Sequence, residues 1–151
     1  FLDVLEPLAR QRLGADPVFA IRCTEKTIVG LAADDRAFGV VNSAFSPDHI
    51  VYMGVAPIRV DKAADLPKAF DEYQAKYGKP PRVVLAKGLG AWCLGTSEKT
   101  AGQAHLLFLD QVKIAVTSAS FGGPLFMGKE FIDFIRNWEV EAYRSKVSSG
   151  T

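Results

Sequence analysis

The stretch VVLAKGLGAWCLGTSEKTAGQA, residues 83–104, constrains the fold more than any other part of the chain. An apolar run is followed by a glycine-rich turn and then by a helical pattern that Thr96 or Ser97 can cap. Many proteins build a phosphate or cofactor site from a strand, a glycine-rich turn and a helix in this order. The stretch therefore leaves two interpretations open, a ligand-binding turn and a structural corner.

The spacing of the glycines excludes the two best-known phosphate loops. A Rossmann fingerprint has glycine at its first, third and sixth positions; Gly88 and Gly90 fill the first two, but Cys93 stands at the sixth. No Gly-Lys-Ser/Thr sequence closes the turn, so it is not a Walker A loop either. The apolar segment AWCL, which ends before Gly95, can form a second strand and make the turn a hairpin corner. A ligand contact is the alternative, because the helix that begins near Ser97 presents N–H groups that can bind an anion.

The rest of the chain alternates helical and strand-like patterns. Short apolar runs predict strands at residues 17–23, 49–53, 57–60 and 82–87, and helical spacing predicts helices at 2–13, 66–77, 97–119 and 130–147, with weaker helical signals within 24–44. Thr24 and Asp65 are predicted to cap helices, and Gly14 and Gly78 to end them. This alternation predicts an α/β fold, a layered α-β-α single domain with a small, mostly parallel or mixed sheet.

Length and composition limit the classes of protein to consider. A chain of 151 residues corresponds to one domain, and 48% hydrophobic with 23% charged residues allow a packed core. The formal net charge of +1 attracts neither nucleic acid nor an anionic membrane, and no apolar run approaches the roughly 20 residues that span a bilayer. No signal peptide is visible, so Cys23 and Cys93 are interpreted as reduced thiols of a cytoplasmic protein. Because the chain starts at Phe1 and not at a methionine, we expect it to be a fragment of a longer protein.

Residues 82–119 resemble the class II aldolase/adducin family. That family carries a strand, a His-Gly pair, a four-residue apolar stretch, a second glycine, and a helix that begins near a threonine. Here Gly90 is similar in position to the glycine of the pair, AWCL to the apolar stretch, Gly95 to the second glycine, and TSEKTA to the start of the helix, with Ala101 in an alanine position. The resemblance implies an aldolase-like α/β fold and a lyase whose substrate is a sugar or a sugar phosphate.

More of the chain is similar to one branch of this family, the bifunctional proteins that join an aldolase-like part to a short-chain dehydrogenase. In them a second aldolase-like segment follows the metal-binding one. It is similar to this chain in PVFAIRC, SPDHIVYMG, PRVVLAKGLGAWCLGTSEKTA, FGGP and WEVEAYR. The resemblance implies a role in carbohydrate metabolism, with either a homo-oligomer or a contact with a preceding aldolase domain.

The metal ligands are the main departure from the family. Family aldolases bind a divalent metal through histidines, one of which belongs to the His-Gly pair, but Leu89 precedes Gly90 in this chain. The family's His-x-His element is also absent, and His49 and His105 are the two histidines of the sequence. A catalytic zinc usually needs three protein ligands and an open position. We therefore expect no metal site and no cofactor in this segment; a divalent metal such as zinc would belong to the parent protein.

Asp48 and His49 are the candidate catalytic residues. A carboxylate beside an imidazole can orient the ring, which would suit a general base or a substrate contact. The alternative is structural: Asp48 would cap the turn, and His49 would hydrogen-bond to a backbone carbonyl.

Lys87, Gly88, Gly90 and Thr96 are the candidate residues for binding substrate or phosphate. Lys87 directly follows the predicted buried strand, where a cation could meet a phosphate oxygen. The alternative is a surface lysine whose aliphatic stem packs while its ammonium group stays in water.

Other notable side chains have structural interpretations. His105 is predicted to be a packed, hydrogen-bonded histidine, and Cys93 a core residue. Trp138, Glu141 and Arg144 follow one another at helical spacing, which indicates an ion pair on a solvated face or, alternatively, a subunit contact anchored by Trp138.

Three functions are compatible with these observations. The preferred one is a segment of a class II aldolase-like lyase that lacks its own metal centre and is inactive alone. The others are a binding module for a phosphorylated sugar or nucleotide, and a non-catalytic structural domain.

Overall fold

The computed structural model describes the backbone of residues 1–148 and the side chains of residues 1–138. The helices are α1 (Leu2–Leu13), α2 (Lys26–Leu31), α3 (Asp35–Phe38), α4 (Leu66–Tyr77), α5 (Glu98–Ser118) and α6 (Lys129–Ser148). The strands are β1 (Phe19–Cys23), β2 (Ile58–Val60), β3 (Val83–Ala86) and β4 (Gly90–Gly95). A π-helix spans His49–Met53, and short 3₁₀ turns span Gly39–Val41, Ala63–Asp65 and Ala119–Phe121.

The four strands form one mixed sheet in the order β1-β4-β3-β2. β3 and β4 are an antiparallel hairpin in which Val84 lies opposite Trp92. β1 pairs antiparallel with the other edge of β4, whereas β2 pairs parallel with β3. A parallel pair needs a crossover connection, and α4 provides it between β2 and β3. The sheet is therefore small and mixed, as predicted.

Alternate side chains of the central strands point into two different cores. Val83 and Leu85 pack in a core that includes Phe108 of α5, whereas Val84 packs on the opposite face with Phe70 of α4. Because helices cover both faces, every residue of β3 and β4 is buried. This arrangement confirms the predicted layered α-β-α domain, and it confirms that AWCL is a strand.

The segment HIVYM, predicted as a strand, is instead a π-helix. Its buried side chains are His49, Ile50 and Met53, which is a helical spacing and not the alternation of a strand. The N–H of His49 donates to the Oγ of Ser46 at 3.3 Å, which satisfies a donor at the start of the turn. The strand prediction was wrong because the apolar run is covered on one side by α5 and does not pair with a neighbouring strand.

The ends of the helices follow the sequence in part. Gly14 and Gly78 end α1 and α4 with φ of 65° and 76°, as predicted. Asp65 precedes α4, but its side chain makes no cap bond, because the 3₁₀ turn before α4 already gives it a helical backbone. Thr24 does not cap α2; Glu25 is the N-cap, and it makes no side-chain bond.

The C-terminal helix α6 covers the π-helix. Ile132 packs with Ile50 and Val55 in a third, smaller core. The side chains of Glu141 and Arg144, and with them the predicted ion pair, lie outside the described residues. None of the described helices combines the length and apolarity that a membrane crossing requires.

Candidate functional site

His49, a predicted catalytic residue, is a fully buried side chain with both ring nitrogens engaged. The N–H of Phe45 donates to its Nδ1 at 3.2 Å, and its Nε2 lies 3.0 Å from Oδ2 of Asp110. Since Nδ1 accepts a hydrogen bond, Nε2 carries the proton and donates it to the carboxylate. The imidazole thus links the start of the π-helix to α5.

The carboxylate partner of His49 is Asp110 and not the adjacent Asp48. Asp48 is exposed, whereas Asp110 reaches the ring from α5, 61 residues further along the chain. No local pattern in the sequence marks Asp110, because the contact depends on how α5 crosses the π-helix. An Asp–His pair can hold a tautomer for general-base chemistry, but this ring has no exposed surface. The catalytic assignment of Asp48 and His49 stays a prediction.

The glycine-rich turn is a tight hairpin between β3 and β4. The N–H of Leu89 donates to the carbonyl of Ala86 at 3.0 Å, and the N–H of Lys87 donates to Val60 at 3.1 Å. Two N–H groups that could have bound a phosphate therefore already have protein acceptors. The side chain of Lys87 is exposed at the tip, beside Gly88, whose φ of 74° suits a tight turn.

The neighbouring backbone of the chain requires a glycine at position 90. A Cβ at this position would lie 2.1 Å from the carbonyl oxygen of Cys23, and the φ of Gly90 is 102°. The close neighbour is the backbone at the end of β1, which cannot move aside without disturbing the sheet. The glycine allows two strands to approach each other.

The helix that follows the hairpin has its own cap. Ser97 Oγ accepts from the N–H of Thr100 at 3.1 Å, and Thr100 Oγ1 accepts from the N–H of Ser97 at 3.0 Å. This reciprocal pair is a capping box, so Ser97 and not Thr96 caps α5. Glu98 adds a carboxylate to the first turn, where it interacts favourably with the positive end of the helix dipole.

The predicted phosphate-binding residues lie at two ends of the sheet. Lys87, Gly88 and Gly90 are at the hairpin turn, whereas Thr96 follows the far end of β4. Six residue steps along a strand separate Gly90 from Thr96, which is about 20 Å at 3.3 Å per residue. Thr96 and the turn therefore cannot contact the same phosphate group. Their separate roles in binding stay predictions.

The remaining sequence candidates are structural. Cys23 and Cys93 are both free and buried, and they lie on the neighbouring strands β1 and β4. The hydrogen bond with Cys23 and burial both raise the pKa of the Cys93 thiol well above its usual range, which disfavours a nucleophilic thiolate. His105 is only half-buried on α5, so it is less enclosed than predicted.

Several solved structures have a similar fold. YgbL from Escherichia coli, assigned provisionally as an aldolase, epimerase or decarboxylase, has a TM-score of 0.58 and 15% identity over 89% of this chain and 64% of that one. An aldolase II superfamily protein from Pseudomonas syringae has a TM-score of 0.55 and 15% identity over 97% of this chain and 60% of that one. The chain thus spans less than two thirds of either protein. No family model matches the chain, and no curated protein matches it in sequence. The chain therefore shares its fold with both proteins, one of which is described as an aldolase II superfamily protein.

Proposed function

We propose that this chain is an aldolase-like segment of a sugar or sugar-phosphate lyase and that it has no metal centre of its own. The observation that carries the proposal is Leu89, an aliphatic side chain at the hairpin turn of an aldolase-like fold, directly before Gly90. The resemblance in sequence puts a metal-binding histidine at that position. An aliphatic side chain offers no lone pair to a metal ion.

The donor set of the described residues does not fit a divalent metal. Residues 1–138 contain no cluster of three His, Cys, Asp or Glu side chains able to hold an ion. Both ring nitrogens of His49 are engaged by Phe45 and Asp110. The carbon–carbon cleavage that the proposal assigns to the parent enzyme would therefore use a metal bound by a preceding domain or a partner chain.

An activity assay tests this proposal. The chain alone, with zinc and a set of ketose phosphates, should release no aldehyde, and release should appear when the preceding aldolase domain is part of the polypeptide. Cleavage by the 151-residue chain alone would contradict the proposal. The reading frame around the segment provides a second test: a His-x-His element upstream or a dehydrogenase fingerprint downstream would support the bifunctional parent.

A homo-oligomeric contact is a second element of the proposal. Phe131, Phe134 and Trp138 lie on α6 at helical spacing, and each is about two thirds exposed, at 68%, 66% and 65%. Ile132 faces the domain, so these aromatic side chains form the outer face of the helix. Lys129 and Glu130, near the start of this face, are exposed and carry opposite charges.

Light scattering after size exclusion tests the contact. The chain should be a dimer or larger, and Trp138→Ser should shift it towards the monomer, because a large aromatic at the centre of an interface carries much of the binding energy. Leu106→Ser is the matched control, since Leu106 is 66% exposed on a different helix, α5. If the 151-residue chain without substitutions is a monomer, the proposed contact is contradicted.

A further inference from the structure

A cavity of about 350 Å³ lies at the edge of the domain, away from the hairpin turn. It is bounded by the end of α1, the π-helix, the end of α4 with the segment that follows it, and Arg136 and Asn137 of α6. Cavities that bind small molecules commonly have volumes of about 300–1,000 Å³. The size alone therefore suits a compact organic ligand.

The cationic side chains that line this cavity are Arg12, Lys79, Arg82 and Arg136. Two of them pair with carboxylates that are not among the lining residues: Arg12 with Asp71, and Arg136 with Asp133. These contacts orient the two guanidinium groups, and their remaining N–H donors can bind an anionic oxygen.

Arg12 contributes a buried donor with no acceptor. Its Nη2 pairs with Asp71 at 2.7 Å, which holds the guanidinium in place. Its Nε is buried and meets no hydrogen-bond partner in the described part of the chain. A buried unpaired donor is unfavourable, and an anionic oxygen from a ligand would satisfy it.

Arg136 is positioned by the protein in a similar way. Its Nη2 donates to the carbonyl of Tyr77 at 2.6 Å, and its guanidinium lies 5.4 Å from the centre of the Tyr77 ring. The carbonyl contact also satisfies an acceptor at the end of α4, which is a structural role. The Nη1 of Arg136 also donates to Oδ1 of Asp133 at 3.4 Å. A guanidinium has five N–H donors, so these three contacts leave others for a ligand.

Tyrosines provide the organic part of the lining. Tyr52 is partly exposed at the cavity, and Tyr73 and Tyr77 line it from α4 with their rings 4.7 Å apart. Burial raises the pKa of Tyr73 to about 12, so its hydroxyl stays neutral at ordinary pH. Aromatic walls with a few polar groups are typical of sites that bind the carbon skeleton of a small molecule.

We propose that this cavity binds an organic phosphate monoester, with the phosphate group at Arg12 and Arg136 and the carbon skeleton against the tyrosines. Planar guanidinium groups match the geometry of phosphate oxygens and bind them in a bidentate manner. The site is separate from the sequence-predicted turn: Arg82 directly precedes β3 and Lys87 directly follows it, about 16 Å away at 3.3 Å per residue. It is also independent of the lyase assignment, because it requires neither a metal nor cleavage.

Nuclear magnetic resonance with the nitrogen-labelled chain tests the location. The probes are glucose 6-phosphate, inorganic phosphate, and unphosphorylated glucose as the neutral control. Both phosphates should shift the backbone amide signals of residues 77–79 and of Arg82, and glucose should not. Shifts confined to residues 87–90 or 97–99, no saturable shift in the millimolar range, or equal shifts with glucose would each overturn the proposal.

Calorimetric titration of variants with glucose 6-phosphate tests the residues. Arg12→Gln should weaken binding about tenfold or more, since a charge-assisted hydrogen bond is lost. Arg12→Lys keeps a cation beside Asp71 but lacks the Nε donor, so this variant should also bind glucose 6-phosphate more weakly than the parent chain does. The nuclear magnetic resonance spectrum of the variant verifies that it is folded. Arg10→Gln, on the same helix but outside the cavity, should bind as the parent chain does. Unchanged affinity in both Arg12 variants, or loss only in Lys87→Gln, would overturn the proposal.

Discussion

At the scale of single residues, Gly90 lies in a turn that resembles a ligand-binding loop, but its structural role is to allow β1 and β4 to approach each other closely. Its missing side chain makes room for the Cys23 carbonyl, at 2.1 Å from the position that a Cβ would occupy. Gly88, two residues earlier in the same turn, has open space around the equivalent position. Both glycines have a positive φ, but only Gly90 has a close backbone neighbour, so a substitution at Gly88 is the control for one at Gly90.

Gly90→Ala should lower the free energy of unfolding by about 3 kcal/mol or more, because a backbone clash adds to an unfavourable positive φ. Gly88→Ala should lower it by about 1–2 kcal/mol, since only the backbone conformation is unfavourable there. Urea denaturation of both variants measures the difference. Equal losses would show that the contact with Cys23 does not determine the requirement for glycine.

His49 is the second residue whose role depends on its environment. Its burial and its two hydrogen bonds indicate that it stabilises the junction between the π-helix and α5. Asp48, its neighbour in sequence, is exposed. The adjacency that suggested a catalytic pair therefore does not correspond to a contact between the two side chains.

His49→Ala should reduce the free energy of unfolding by about 2–4 kcal/mol, because it leaves a cavity and an unsatisfied N–H at Phe45. Asp48→Ala is the control and should change it by no more than about 0.5 kcal/mol. Thermal and chemical denaturation provide the measurement. A large loss in Asp48→Ala with little change in His49→Ala would contradict the structural role.

At the scale of elements, the sequence predicts best where local rules and tertiary packing agree. The apolar positions of α4 and α5 recur at helical spacing, and Phe70 and Phe108 of these stripes are fully buried. Gly78 ends α4 because a left-handed backbone follows from the glycine itself. HIVYM could not be predicted in the same way, because a short apolar run fits a strand or a buried helical turn equally well.

The capping box of α5 gives a prediction at this scale. Ser97→Ala removes the oxygen that accepts from Thr100 and should lower the free energy of unfolding by about 1 kcal/mol. Thr96→Ala changes an exposed residue outside the box and should alter it by less than about 0.5 kcal/mol. Denaturation curves of the two variants distinguish them, and a larger loss in Thr96→Ala would contradict the assigned cap.

At the scale of the whole molecule, the layered fold was predictable and the arrangement of side chains between distant elements was not. Alternation of helices and strands predicts the α-β-α layers, and the hairpin follows from AWCL between two glycines. The Asp110 contact and the cavity with Arg12 and Arg136 join segments far apart in sequence. Such sites depend on crossing angles and loop paths that hydrophobic periodicity does not encode.

The fold of the whole molecule does not by itself determine which chemistry its side chains can perform. The fold is similar to that of both structures compared above, although the sequence identity to each is only 15%. Function depends on the side chains that a fold carries, and here Leu89 is at the turn where the family resemblance puts a histidine. The central claim is therefore about donor atoms and not about topology.

Crystals of the chain grown with zinc, with diffraction recorded on both sides of the zinc absorption edge, test that claim most directly. We predict no ordered zinc peak coordinated by three side chains of one copy. A strong anomalous peak within bonding distance of three such side chains, with His49 or His105 among them, would contradict it.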